Sequence, residues 1–132
     1  MKLSAASSYA VRALAHLARQ PTGASERKQD IARAAGLADV QLVKILGRLV
    51  RAGLLSAVKG PGGGYVLARP ARQITLLAII EATDGPVGGA AIAGAGGATP
   101  LDRRLQAACD DVAEALRQRL ARVTLAELAK AK

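Results

Sequence analysis

The sequence has no Phe, no Trp, two Tyr, one Cys and one His in 132 residues. A core without large aromatics must be built from Leu, Ile, Val and Ala, which suits closely packed helices. The apolar fraction of 51% argues against a disordered chain. The single thiol, Cys109, excludes an intrachain disulfide framework and a local cysteine metal set, and it fits a reducing cytoplasm. No metal site is expected. His16 stands alone, without catalytic or ligand partners in the sequence, and a structural role is expected for it. No carboxylate pair or nucleophile–base pair supports an enzyme. Arg12, His16 and Arg19 interrupt the first segment, so a signal peptide is not expected. No run of about 18 strongly apolar residues of helical character occurs, and no membrane partner is expected. Acidic residues are scarce as well: 10 Asp plus Glu against 19 Lys plus Arg leave a net charge of +9. This length fits one domain of ~100–150 residues, and the charge points to nucleic acid, an anionic surface or an acidic partner.

What is present is ordered by its period. Tyr9, Ala13, Leu14 and Leu17 share one face of a first helix, capped by Ser7 or Ser8 and running to about Arg19. Ser25 is expected to cap a second helix whose apolar face is Ile31, Ala32 and Ala35. Gly36-Leu37-Ala38 separates it from a third, capped by Asp39, with Leu42, Ile45, Leu46 and Leu49 at helical spacing. Gly53 sits at its C′ position. The period then falls to two. Leu54 to Val58 and Tyr65 to Leu67 read as strands, joined by Lys59-Gly60-Pro61-Gly62-Gly63-Gly64. Pro70 ends the second strand. Thr75 caps a fourth helix to about Thr83, stopped by Asp84-Gly85-Pro86. A long helix from Leu101 to about Arg122 carries the stripe Leu101, Leu105, Ala108, Val112, Leu116 and Leu120. Thr124 caps a short last helix with Leu125 and Leu128.

The fold class is therefore mainly α with a small β-hairpin. A winged helix-turn-helix is expected over residues 1–84, a flexible Gly/Ala loop over 85–100, and a long helix with a short C-terminal helix over 101–132. A helix of this kind enters the DNA major groove and reads base edges. Candidate contacts on the third helix are Asp39, Val40, Gln41, Lys44, Arg48 and Arg51. Gln41 can pair with an adenine edge, and Lys44 and Arg48 can reach guanine or phosphate. Lys2, Ser25 and Lys28 are further candidates near the backbone. The wing tip, Lys59, Gly60, Pro61, Gly62, Gly63 and Gly64, lets backbone N–H groups approach a phosphate or the minor groove. Tyr65 is expected to pack the hairpin against the helices. Residues 1–59 hold 10 Lys/Arg and 3 Asp/Glu, so +7 of the +9 lies in this segment. The glycine run joins strands and opens no helix, so it is not a nucleotide-binding loop.

Several segments resemble the Rrf2 family of bacterial transcription regulators. They are Met1-Lys2-Leu3-Ser4, Tyr9 to Leu14, Ile31-Ala32, Leu49 to Leu54, Val58-Lys59-Gly60-Pro61-Gly62-Gly63-Gly64-Tyr65, Ile74-Thr75-Leu76, Glu81-Ala82 and Thr124 to Leu128. The GPGGGY wing is the most specific of these. The resemblance implies a homodimeric, sequence-specific DNA-binding repressor or activator; a repressor on a pseudo-palindromic double-stranded operator is expected, and dimerisation is expected through the long helix over 101–132. It also implies that the long helix crosses its partner, in agreement with the stripe.

Many members of that family hold an iron–sulfur cluster on three cysteines in the loop before the long helix. Here residues 85–100 contain no Cys, His, Asp or Glu, and Ala90, Ala91 and Ala98 stand where ligands would be expected. One Cys outside the loop does not supply three thiolates, so no cluster cofactor is expected in this form. Cys109, beside Ala108 of the stripe, reads as a small apolar filler or as a thiol sensor. The neighbouring Asp110 and Asp111 oppose formation of a thiolate. Two alternatives stand beside the DNA reading. One is a regulator whose signal is a thiol change at Cys109, a bound small ligand or a partner protein. The other is a basic interaction module for an acidic protein, against which the glycine-only wing tip speaks.

Overall fold

In a computed structural model, residues 1–88 and 98–131 are described. The described elements are α1 (Ala5–Ala18), α2 (Lys28–Ala35), α3 (Asp39–Arg51), β1 (Leu55–Val58), β2 (Gly64–Leu67), a 3-10 turn (Ala71–Gln73), α4 (Leu76–Asp84), α5 (Pro100–Leu120) and α6 (Leu125–Ala129). Residues 89–97 of the expected loop, including Ala90 and Ala91, lie outside the described residues.

The core is aliphatic. Leu14, Ile31, Leu42, Leu46, Leu49, Leu54, Leu55, Ile74, Ile79 and Leu125 are almost fully buried. Each contributes about 1.5–3 kcal/mol of burial. The α3 positions Leu42, Ile45, Leu46 and Leu49 all face inward, as their spacing requires. Ala10 and Ala13 on α1 are also fully buried. Alanines there let helices approach where aromatic side chains would hold them apart. Thr75 and Thr124 cap α4 and α6 through their side chains. Leu76 N–H donates to Val123 O and Leu125 N–H to Ile74 O, both at 2.8 Å. These bonds return α6 to the core formed by α1–α4. By contrast, α5 buries only Ala113 and Leu120.

Three of the caps expected from sequence are corrected. Ser4, not Ser7 or Ser8, caps α1, accepting from Ser7 N–H at 3.0 Å. The Ser7 hydroxyl is instead buried against α4, so a tertiary bond displaces the local one. Ser25 does not cap α2; the N-cap position is Arg27, without a side-chain bond. The backbone of Glu26 is drawn into pairing with Tyr65, which shifts the helix start beyond Ser25's reach. Asp39 is the first residue of α3 rather than its cap, and Ala38 takes the extended N-cap conformation. In that first turn the Asp39 carboxylate still opposes the helix dipole favourably. The α5 start carries an unexpected capping box: Thr99 Oγ1 accepts from Asp102 N–H, and Asp102 Oδ2 accepts from Thr99 N–H.

Candidate nucleic-acid interface

The helix-turn-helix is set by two glycines. Gly36 ends α2 at φ +70°. Gly53, at φ +76°, ends α3 in a Schellman arrangement, with Leu54 N–H on Leu49 O and Gly53 N–H on Val50 O. The chain then passes directly into β1. With its apolar stripe buried, α3 turns Asp39, Val40, Gln41, Val43, Lys44, Arg48 and Arg51 outward. Val40 is 76% exposed and Val43 45%. Val43 was not among the sequence candidates. Its exposure one turn from Val40 makes an apolar pair on the outward face, suited to thymine methyl groups.

The wing is an antiparallel pair in the register Leu55↔Leu67 to Val58↔Gly64. Its other edge is also held. Glu26 and Tyr65 exchange both backbone bonds, Glu26 N–H to Tyr65 O at 2.9 Å and Tyr65 N–H to Glu26 O at 2.8 Å. The α1–α2 connection thus forms a third, one-residue edge of the wing. Tyr65 is half-buried and packs against the core. The sheet explains part of the glycine run. A Cβ on Gly64 would lie 2.1 Å from Glu26 O, and one on Gly63 would lie 2.2 Å from Val58 O. Those two glycines are required by the wing's own closure. Gly60 and Gly62 have open space and positive φ, so they serve the turn. Lys59, Gly60, Pro61 and Gly62 form the exposed tip.

Several arginines are engaged within the chain. Arg48 Nη1 donates to Thr83 O at 3.0 Å, so its guanidinium is turned toward the end of α4. Arg69 Nε donates to Gly53 O at 3.2 Å, joining the end of the wing to the C-terminus of α3. Arg19 donates to Ala129 O and Ala131 O at the end of α6. Arg27 and Arg33 both pair with Asp30. Lys2, Lys44, Arg51 and Lys59 are exposed, Lys28 is half-buried, and Ser25 is exposed. Among the described residues these basic side chains make no ion pair. His16 Nε2 is buried 3.6 Å from Glu26 Oε1, without a hydrogen-bond partner among the described residues.

On α5, Leu101, Leu105 and Val112 are 73%, 48% and 66% exposed, Ala108 is exposed, Leu116 is half-buried and Leu120 is buried. Cys109 is a half-buried free thiol. It lines an apolar pocket of about 430 Å³ with Val87, Gly88, Ala108, Val112, Ala113 and Leu116. Nearby, Arg117 donates to Val87 O and to Glu114 Oε2. The hydrogen-bonded Arg117 guanidinium holds the Glu114 carboxyl below its usual range. No described helix is long and apolar enough to cross a membrane.

These elements define a winged helix-turn-helix protein. The chain belongs to the Rrf2 family: the family model, described as an iron-dependent transcriptional regulator, matches residues 3–131. Over 84 residues it is 43% identical to Protein aau3 of Rhizobium meliloti, covering 64% of this chain and 54% of that protein. The chain therefore spans about half the length of that relative. Over 129 residues it is 33% identical to the HTH-type transcriptional regulator IscR of Cronobacter sakazakii, covering 97% of this chain and 80% of IscR. Among solved structures it is similar to CymR, the global cysteine regulator of B. subtilis. That similarity has a TM-score of 0.79 at 26% identity, covering 100% of this chain and 98% of CymR.

The family description raises the question of iron. Cluster ligation needs several thiolates. The segment 85–100 offers no Cys, His, Asp or Glu, and the chain's one thiol faces an apolar pocket on α5. Among the described residues no group of three or more His, Cys, Asp or Glu could hold a metal ion. The residues present do not fit a three-cysteine cluster.

Proposed function

We propose that this protein is a dimeric, sequence-specific regulator that binds a pseudo-palindromic double-stranded operator in the cytoplasm and represses by occupying it. The observation that carries this reading is the outward face of α3. There Val40, Gln41, Val43 and Lys44 stand exposed in the N-terminal half of a helix whose opposite face is locked in the core. Helix-turn-helix proteins read base edges from that half. The exposed wing tip, with Lys59 beside it, adds a backbone contact to phosphate or the minor groove. Dimerisation through α5 is supported by its exposed Leu101, Leu105 and Val112, which one copy leaves in water. A two-fold dimer places two α3 helices about one DNA turn apart, near ~10–10.5 bp.

The signal in this form is read without a three-cysteine cluster, and no catalytic step is part of the function. Selection of duplexes from a random library tests the reading. Enrichment of one inverted repeat is the expected result, with steep salt dependence from phosphate contacts. Lys44→Ala should weaken binding to the selected duplex. No enrichment, together with capture of acidic polypeptides, would favour the protein-interaction alternative.

A further inference from the structure

We infer that Arg48 is a positioning residue, which fixes the recognition helix to the end of α4 and does not itself contact DNA. The inference rests on the DNA-binding reading above. Arg48 lies on the same line of α3 as Gln41 and Lys44, and from sequence alone it reads as a base or phosphate contact. Its Nη1 instead donates to Thr83 O at 3.0 Å. That carbonyl is in the last turn of α4, where backbone acceptors have no intrahelical donor and a cation meets the negative end of the helix dipole.

The acceptor is held firmly. Thr83 is 7% exposed, and its Oγ1 lies 2.6 Å from Ser7 Oγ and within bonding distance of Ile79 O and Ile80 O. Asp84 accepts from Ser7 Oγ at 2.9 Å and from Ser4 Oγ at 2.8 Å. Ser4 is the cap of α1, so the node joins the start of α1 to the end of α4. Arg48 ties α3 to that node. Beyond it the chain continues into Gly85–Gly88, where Val87 N–H donates to Glu81 Oε2 at 3.0 Å and Val87 O accepts from Arg117. Arg48 thus adds a directed hydrogen bond to the packing of α3 against α4.

Two readouts separate positioning from contact, using Arg48→Met, which keeps the side-chain stem and removes the donors. The probe is a duplex of about 30 bp selected by the wild-type protein, titrated across a salt series. A positioning role predicts affinity lower on the order of tenfold, with an unchanged slope of log K against log salt. In the DNA-free protein, amide exchange in the last turns of α3 and α4 should quicken. Loss of a phosphate contact would instead flatten the slope by about 0.9 per contact, loss of a base contact would leave the slope as it is, and both would leave free-protein exchange as in wild type. Unchanged exchange or unchanged affinity overturns the assignment. If the wild type selects no duplex, the DNA-binding reading itself fails. Unchanged exchange in Arg48→Met would then refute the tie separately.

Discussion

Replacing Gly64 by Ala tests how the wing is attached. The new Cβ would sit 2.1 Å from Glu26 O, 2.6 Å from Glu26 C and 3.0 Å from Arg27 N, and ordinary contact begins at 3.4 Å. All three neighbours are backbone, so no side chain can swing aside. The two backbones must separate by more than ~1 Å. The bonds between Glu26 and Tyr65, at 2.9 and 2.8 Å, do not survive such a shift. Each contributes about 0.5–1.5 kcal/mol net, so the loss is about 1–3 kcal/mol. For a chain of this size that lowers Tm by roughly 3–15 °C. Thermal unfolding measures the total, and amide exchange at Glu26 and Tyr65 locates it. Gly62→Ala is the comparison: it meets open space at φ +74° and carries only the left-handed penalty of ~1–2 kcal/mol. It should leave protection at Tyr65 intact. A Gly64→Ala protein that melts with the wild type and keeps that protection would refute the reasoning.

Other outcomes follow from the same geometry. Gly47→Ala, in mid-α3 with only Arg51 Nη1 at 3.7 Å from the new Cβ, should raise stability by about 0.5–1 kcal/mol in denaturant unfolding. Ser7→Ala removes a buried hydroxyl shared by Thr83 and Asp84 and should cost about 1–3 kcal/mol by the same assay. Val112→Asp places a charge on the exposed α5 stripe. It should convert dimers to monomers in sedimentation while leaving the single chain's fold intact. Gln41→Ala should relax base preference at one A·T position of a selected half-site by about 1–3 kcal/mol, read from affinities for single-base variants.

The parts of the fold legible in the sequence are those written locally. The α3 stripe, the C′ glycine at Gly53 and the threonine caps at 75 and 124 depend on neighbours within a few residues, and the structure repeats them. The Thr99-x-x-Asp102 box is equally local, and with it the helix begins at Pro100, one residue before the start expected near Leu101. What sequence could not order was competition between a local bond and a distant one. Ser7 could cap α1 or bond Thr83, 76 positions away, and the distant partner prevails because both hydroxyls are buried. Ser25 lost its cap because Glu26 pairs with Tyr65, a contact no local pattern announces. The same limit applies to the site. Exposure of Gln41 and Lys44 follows from helical period, whereas the direction of Arg48 depends on where α4 ends.

The basic charge takes on a different meaning once its partners are known. Ten Lys and Arg lie in residues 1–59. Of these, Arg19 and Arg48 sit on C-terminal helix carbonyls, and Arg27 and Arg33 pair with Asp30. The exposed remainder is three lysines and two arginines: Lys2, Lys44 and Lys59, with Arg12 and Arg51. Lysine is a compact point charge without the planar fork that grips guanine or phosphate in two places. The lysines are expected to attract the duplex and make binding steeply dependent on salt while carrying little sequence information. Discrimination is then expected from the uncharged outward side chains of α3. Gln41 can match adenine through two bonds, and Val40 and Val43 offer apolar surface that suits thymine methyls. On the proposed DNA-binding reading, affinity and specificity divide between different residues, and the half-site expected beneath the first turns of α3 is rich in A·T pairs.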